Sequence, residues 1–334
     1  MMQITDRIAL LAQLAQYMKS DDEAWERTKR KAHQENNWFI PEFINLSVDN
    51  IVHYYLQPHA LHNLAQQYNI PQEQTAPKKI GLALAGNIPL VGFHDVLCVF
   101  LSGHYAIIKP SSKDETLIKH LVEKIISWNN EAAPYLQLQP MLKGCDAYIA
   151  TGSNNTSRYF EYYFRNYPSI IRSNRTSVAL LTGKETTKEL EKLSDDIHLY
   201  FGLGCRNVTQ LYVPREYDFI PLLAAFNKYE HFINHHKYKN NYDYQLAMHI
   251  LNNRYYMTNG STLLVEDASH FSAISQVHYQ YYNAVEDVQE SLQNAPALQC
   301  IVGVGGLPFG QAQQPGLTDF ADGVDTMAFL MASI

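Results

Sequence analysis

Apolar positions recur three and four residues apart through residues 1–75: Ile8, Leu11, Leu14 and Met18 form one stripe, and Ile44, Val48, Ile51, Val52 and Tyr55 another. That period marks amphipathic helices, so the chain opens on a helical segment. Asp21 or Asp22 suits the N-cap of a helix running through Trp25 to His33, and Pro41 suits the first turn of the next. From Lys79 short apolar runs alternate with longer amphipathic stretches. Residues 80–85, 105–108, 146–150 and 177–181 read as strands, with helices at 90–101, 116–128 and 157–164 between them. A second series follows, with helices at 188–200, 222–229 and 242–251, and strands at 209–213, 261–265, 276–279 and from 297 onward. Such alternation predicts parallel sheets covered on both faces, which bind ligands where their strands end. The expectation is an α/β protein with two Rossmann-like parallel-sheet lobes. Residues 1–75 pack on the first lobe, 76–183 form that lobe, 184–310 the second, and 311–334 a closing segment.

The length of 334 residues exceeds what one core usually organises, in keeping with two lobes. Net charge is -7 and the basic residues are dispersed, which argues against nucleic acid or an anionic membrane as partner. The start lacks the pattern of a signal peptide, and no apolar run reaches the length of about 18 residues that spanning a bilayer requires, so a cytoplasmic protein is expected. Cys98, Cys145, Cys205 and Cys300 include no CxxC pair, so neither a metal site nor a disulfide framework is predicted.

Neither GxxxxGK[ST] nor a GxGxxG after a strand occurs; Gly303-Val304-Gly305-Gly306-Leu307-Pro308 carries proline where the last glycine belongs. Four strand-end segments are candidates instead. Leu84-Ala85-Gly86-Asn87 sets an amide at a carboxyl end, where Asn87 suits an oxyanion donor. Lys109-Pro110-Ser111-Ser112-Lys113 presents Lys109 to ribose hydroxyls or phosphate. Thr151-Gly152-Ser153 runs from strand to helix, where backbone amides meet a pyrophosphate. Gly202-Leu203-Gly204-Cys205-Arg206-Asn207 clears space around a thiol and adds a cation that favours its ionised form. Each also has an ordinary reading, as a packing cysteine, a turn asparagine or a solvated lysine. Cys98, Cys145 and Cys300 read as packing residues, His94 and His104 likewise, and Glu189, Glu191, Asp195 and Asp196 as a solvated helix face.

In order and spacing these segments resemble the aldehyde dehydrogenase superfamily from Lys79 to Gly310. The resemblance implies Asn87 as oxyanion asparagine, Lys109-Pro110-Ser111 as the adenosine-ribose motif, Thr151-Gly152-Ser153 as the pyrophosphate turn and Cys205 as the catalytic thiol. Pro308-Phe309-Gly310 resembles the turn before the chain returns to the first lobe. Within the superfamily the chain is similar to the acyl-CoA reductases typified by the fatty-acid reductase of bacterial luminescence. The similarity rests on Asn37-Trp38-Phe39-Ile40-Pro41-Glu42, residues 202–214, Phe309-Gly310-Gln311 and Ala321-Asp322-Gly323-Val324-Asp325-Thr326. It implies NADPH-dependent reduction of a fatty acyl thioester, on CoA or an acyl carrier, to an aldehyde through a Cys205 acyl-enzyme and a thiohemiacetal. A homodimer is implied as well. Ile171 falls where aldehyde oxidisers carry a water-activating glutamate, which disfavours hydrolysis. Ser112 falls where NAD-selective members carry a carboxylate, and Lys113 adds positive charge, so NADPH is expected, with NADH as the second cofactor. Two other readings stand beside this one: a thiol acyltransferase or thioesterase without hydride transfer, and a non-catalytic acyl-CoA or dinucleotide-binding protein.

Overall fold

The computed structural model describes residues 2–293 and 295–332. They divide into two compact units, one running to Asn174 and resuming at Pro315, the other spanning Arg175–Gln314.

The first unit opens with helices α1 (Ile4–Met18), α2 (Glu23–Glu35), α3 (Pro41–Asn50) and α4 (Pro58–Gln67). The predicted stripe of α1 is buried at Ile8, Leu11, Leu14 and Met18. Asp22 caps α2, accepting from the amides of Ala24 at 2.9 Å and Trp25 at 3.2 Å. Pro41 and Pro58 sit in first turns, where their missing N–H costs nothing.

Next come β1 (Lys79–Ala83), α5 (Phe93–Ser102), β2 (Tyr105–Lys109), α6 (Glu115–Trp128), β3 (Leu136–Leu138), β4 (Ala147–Thr151), α7 (Asn154–Phe164) and β5 (Ser169–Arg172). The strands are parallel, in the order β3-β2-β1-β4-β5. Alternate residues serve opposite faces. Ile80, Leu82, Ile108, Ile149 and Ile170 join the core that includes Leu11, Leu14, Val99 and Leu121, while Ile107 and Tyr148 face the other way. There Phe164 of α7 stacks on Tyr148 at 3.9 Å. Arg7 is fully buried and donates to the carbonyl of Leu101 at the end of α5, at 3.2 Å, and to that of Met2 ahead of α1, at 2.7 Å. The final helix, Thr326–Met331, packs against α5. Asp325 caps it, and Tyr68 donates to the same carboxylate at 2.7 Å.

The second unit holds β6 (Thr176–Leu180), α8 (Thr187–His198), β7 (Val208–Pro214), α9 (Ile220–Phe226), α10 (His236–Leu251), β8 (Met257–Thr258), β9 (Leu263–Glu266), β10 (Gln276–Tyr282), α11 (Val285–Gln293) and β11 (Leu298–Gly303). Its sheet runs β11-β6-β7-β10-β9-β8. The strands are parallel except β8, which pairs antiparallel with β9, so this sheet is mixed rather than purely parallel.

Three sequence readings need correction. The strand expected at 177–181 belongs to the second sheet, between β11 and β7, so the units divide at Asn174/Arg175, ahead of the boundary expected at 183/184. In its place the first sheet uses β5, and at its opposite edge β3; both are too short for their residues to display a period. The acidic series on α8 is only partly a solvated face. Asp196 is 1% exposed and accepts from the amides of Gly310 at 2.6 Å and Ala312 at 2.9 Å, tying the Pro308-Phe309-Gly310 turn to α8. Burial raises its carboxyl to about 6. Among the described residues no helix is long and apolar enough to cross a membrane, and no group of three His, Cys, Asp or Glu is placed to hold a metal ion.

Candidate active site

In the first unit, register brings the predicted cofactor segments to one edge. Ala83 at the end of β1 pairs with Lys109 and with Ala150, and Thr151 pairs with Arg172. The loops after β1, β2 and β4 therefore leave the same carboxyl edge. Strand order reverses between β1 and β4, the switch point where helices diverge and a crevice opens. Asn87 lies half-buried in the loop after β1, while Lys109, Ser112, Lys113 and Ser153 are exposed, with Pro110, Thr151 and Gly152 intermediate. Gly152 has no room for a side chain: a Cβ there would lie 2.9 Å from that of Thr156. Its amide donates to the Arg172 carbonyl at 3.1 Å, and the Ser153 hydroxyl caps α7 by accepting from Thr156 at 3.3 Å. Those two groups hold the turn itself, which leaves the first amides of α7 as anion donors. An exposed lysine pair, a neutral serine and a helix start thus share one sheet edge, a charge pattern that suits an anionic ligand.

Ile171 pairs with Ala150 in β5, and the next residue is committed to structure. Arg172 is buried, donating to Asp95 at 2.6 Å and to Thr326 at 2.8 Å. Together these bonds fasten β5, α5 and the final helix. His94 and His104 keep the packing roles read from the sequence. His94 lies 2.9 Å from the Leu317 carbonyl, while His104 accepts from the Lys78 amide and reaches the Leu330 carbonyl. Burial lowers the His104 pKa, in keeping with a neutral ring.

In the second unit Cys205 follows a contorted turn. Tyr200, Phe201 and Gly202 are successive left-handed residues, with φ of 57°, 57° and 74°. For the two non-glycine residues that conformation costs on the order of 1–3 kcal/mol each, so neighbours must hold it. Phe201 is 2% exposed and packs with Phe232, His235 and Tyr238 at centroid distances of 4.6, 4.7 and 5.7 Å. Beneath it His198 is buried and neutral, its pKa lowered to about 4 by desolvation. Its Nδ1 donates to the Ser194 carbonyl at 2.9 Å, so Nε2 accepts from Thr262 at 2.9 Å, and Tyr238 in turn donates to Thr262 at 3.2 Å.

Asn207, fully buried, clamps the loop. Its Nδ2 donates to the carbonyls of Leu199 at 2.8 Å and of Asp196 and Ile197 at 3.2 Å each, the acceptors at the end of α8. Its Oδ1 accepts from the Gly204 amide at 2.8 Å, and its own amide donates back to the Gly204 carbonyl at 3.1 Å. From below, buried Ser177 donates to the Cys205 carbonyl at 3.0 Å and accepts from the Cys300 amide at 3.2 Å. Cys205 itself is half-buried. Cys98 is fully buried, and desolvation pushes its thiol far from ionisation; Cys145 is shifted the same way. Asn207 and Ser177 were not singled out from the sequence. The available signal was a polar residue beside or inside an apolar strand run, Asn207 before 208–213 and Ser177 within 176–181. Replacing Asn207 by leucine keeps the volume but leaves buried donors and acceptors unmatched. We expect the second unit to lose about 2–3 kcal/mol of stability, measured by denaturant unfolding. An unchanged midpoint would mean the turn holds itself.

With this geometry in place the chain can be set against known proteins. The family described as Acyl-CoA reductase (LuxC) matches residues 6–294, nearly the whole chain. The chain belongs to that family. It is an oxidoreductase of the acyl-CoA reductase type, and the family's reaction is reduction of acyl-CoA to an aldehyde. No curated protein matches it. Solved structures show the aldehyde dehydrogenase fold. Aldehyde dehydrogenase 21 from Physcomitrella patens, in complex with the reaction product succinate, has a TM-score of 0.70 and 13% identity, over 99% of this chain and 84% of that one. The NADP dependent enzyme of E. coli has a TM-score of 0.67 and 11% identity, over 90% and 73%. The Mycobacterium tuberculosis aldehyde dehydrogenase complexed with NAD+ has 0.63 and 12%, over 88% and 71%.

Proposed function

We propose that this member of the acyl-CoA reductase family works through a covalent Cys205 acyl-enzyme and draws its reducing equivalents from NADPH. The Cys205 thiolate adds to the thioester carbonyl, and the tetrahedral adduct expels the CoA thiolate, leaving an acyl group on Sγ. The Asn87 amide and the Cys205 backbone N–H stabilise the oxyanion of that adduct. When bound, the reduced nicotinamide would supply a hydride to the acyl carbonyl, and collapse of the resulting thiohemiacetal alkoxide on Sγ releases aldehyde and returns the Cys205 thiolate. Ile171, a hydrocarbon in β5, offers no base to activate water, so the acyl group survives until reduction. The observation that carries this reading is the Cys205 loop, a half-buried thiol that follows the strained left-handed turn of Tyr200 and Phe201 and is clamped by Asn207 and Ser177. An ordinary packing cysteine needs no such support. The test is consumption of NADPH against a panel of acyl-CoAs of increasing chain length, with aldehyde as product. Acyl transfer to Cys205 without cofactor consumption would instead identify a thiol acyltransferase or thioesterase.

Lys109 is proposed to meet the adenosine ribose, and Thr151, Gly152 and the start of α7 the pyrophosphate. Ser112 and Lys113 are exposed on the loop after β2, and a neutral serine followed by a lysine does not repel a 2'-phosphate as a carboxylate does. The protein therefore binds NADPH more tightly than NADH, and Ser112→Glu reverses the order. Tighter NADH binding by the unmodified chain would refute this assignment.

A further inference from the structure

We infer that Asp114 is a positioning residue for the proposed oxyanion donor, its buried carboxyl group welding the loop that carries Asn87 to the loop that carries Lys109, Ser112 and Lys113. The inference rests on the role proposed for Asn87. Asp114 stands directly before α6, a position where aspartate commonly caps a helix, yet its side chain makes no capping bond. Instead Oδ2 accepts from the Leu90 amide at 2.7 Å. Leu90 has φ of +58°, a left-handed conformation that leucine does not adopt unaided. Its carbonyl then accepts from the Phe93 amide at 2.9 Å, which starts α5.

Two further ties bracket Asn87 from the other side. The Leu84 amide donates to the Lys109 carbonyl at 3.1 Å, and Gly86 lies so close to the second loop that a Cβ would fall 2.6 Å from the Ser111 hydroxyl and 3.2 Å from the Asp114 Cβ. Asn87 is thus carried on a short span fixed at both ends to the proposed cofactor loop. The arrangement is costly. Asp114 is 3% exposed, its Oδ1 has no hydrogen-bond partner among the described residues, and burial pushes the carboxyl well above its ordinary range. An exposed cap would have spared that desolvation. The carboxyl group is committed to the strained turn rather than to its own helix, as expected of a group that sets the course of the Asn87 loop.

The experiment is a double-mutant cycle on kcat for NADPH-driven acyl-CoA reduction. Asp114→Ser retains a capping hydroxyl but is too short to reach Leu90, whereas Asp114→Asn keeps an acceptor oxygen in place. We expect Asp114→Ser to lower kcat by about ten- to a hundredfold, with KM for NADPH changed less than about threefold and an unfolding midpoint close to wild type. Asp114→Asn should stay within about threefold of wild type, since it preserves the bond to Leu90. In an Asn87→Ala background, Asp114→Ser should cost little more, because the group it positions is already gone. If Asp114→Ser folds poorly, Leu90→Gly, which needs no support at positive φ, should restore its kcat along with its stability. Multiplicative losses in the double variant overturn the inference and leave Asn87 as oxyanion donor. An unimpaired Asn87→Ala variant overturns both.

Discussion

Replacing Cys205 by alanine is expected to reduce acyl-CoA reduction by about ten-thousandfold or more, to background, with NADPH affinity nearly unchanged. The other cysteines are not substitutes. Cys98 is sealed in the core, where desolvation keeps its thiol protonated, and Cys145 is buried and shifted the same way. Cys300 is half-buried, and its sulfur lies 3.0 Å from the Ser177 hydroxyl, the group that also holds the Cys205 carbonyl. Incubating wild type with acyl-CoA and no cofactor should leave one acyl group on the peptide containing Cys205. Its mass on Cys300 would move the nucleophile to β11, and residual reduction in the alanine variant would remove the acyl-enzyme from the mechanism altogether.

The second large effect concerns Asn87. Oxyanion donors act on charge that develops during the reaction, so losing one costs about 3–4 kcal/mol in the barrier, a hundredfold or more in turnover. Asn87→Ala should therefore lower kcat on that scale while leaving cofactor affinity within about threefold of wild type. The loop around it is tied by the Leu84 amide to the Lys109 carbonyl and by the Leu90 amide to the Asp114 carboxyl, two bonds that do not involve the Asn87 side chain. The substitution should remove a donor without disturbing the path of the backbone. A rise in KM for acyl-CoA at constant kcat would make Asn87 a ground-state binding residue.

Membership of the acyl-CoA reductase family does not by itself say how the acyl group is protected from water. In the mechanism proposed above, Ile171 supplies no base that could activate water. In β5 it stands beside Arg172, whose buried pairing with Asp95 and Thr326 fixes the end of that strand. A buried ion pair of this kind adds little net stability, but breaking it strands an unpartnered charge. The end of β5 is therefore held in place, with the hydrocarbon of Ile171 next to that pair.

Much of this protein was legible along the chain because the relevant signals are local. The stripe of Ile8, Leu11, Leu14 and Met18 buried as its period required, and Asp22 and Pro41 sit at the helix starts where their side chains serve. Strand-end segments around Asn87, Lys109 and Thr151 shared an edge because parallel strands joined by helices all end on the same side. Other features were decided only by contacts between residues distant in sequence. Whether 176–180 joined the first sheet or the second depended on its hydrogen-bonding partners, Leu298–Gly303 and Val208–Pro214, which no period within the strand encodes. Asp196 reads in sequence as part of a solvated face, and charge alone would likewise favour water for Asp114. In the fold Gly310, Ala312 and Leu90 offer amides that replace it. Gly202 and Gly204 mark Cys205 as a candidate in the sequence, but the setting of its thiol is not encoded there. The left-handed turn of Tyr200 and Phe201 exists only because an aromatic cluster, Asn207 and Ser177 close on it from separate elements, and that support is a property of the packed unit.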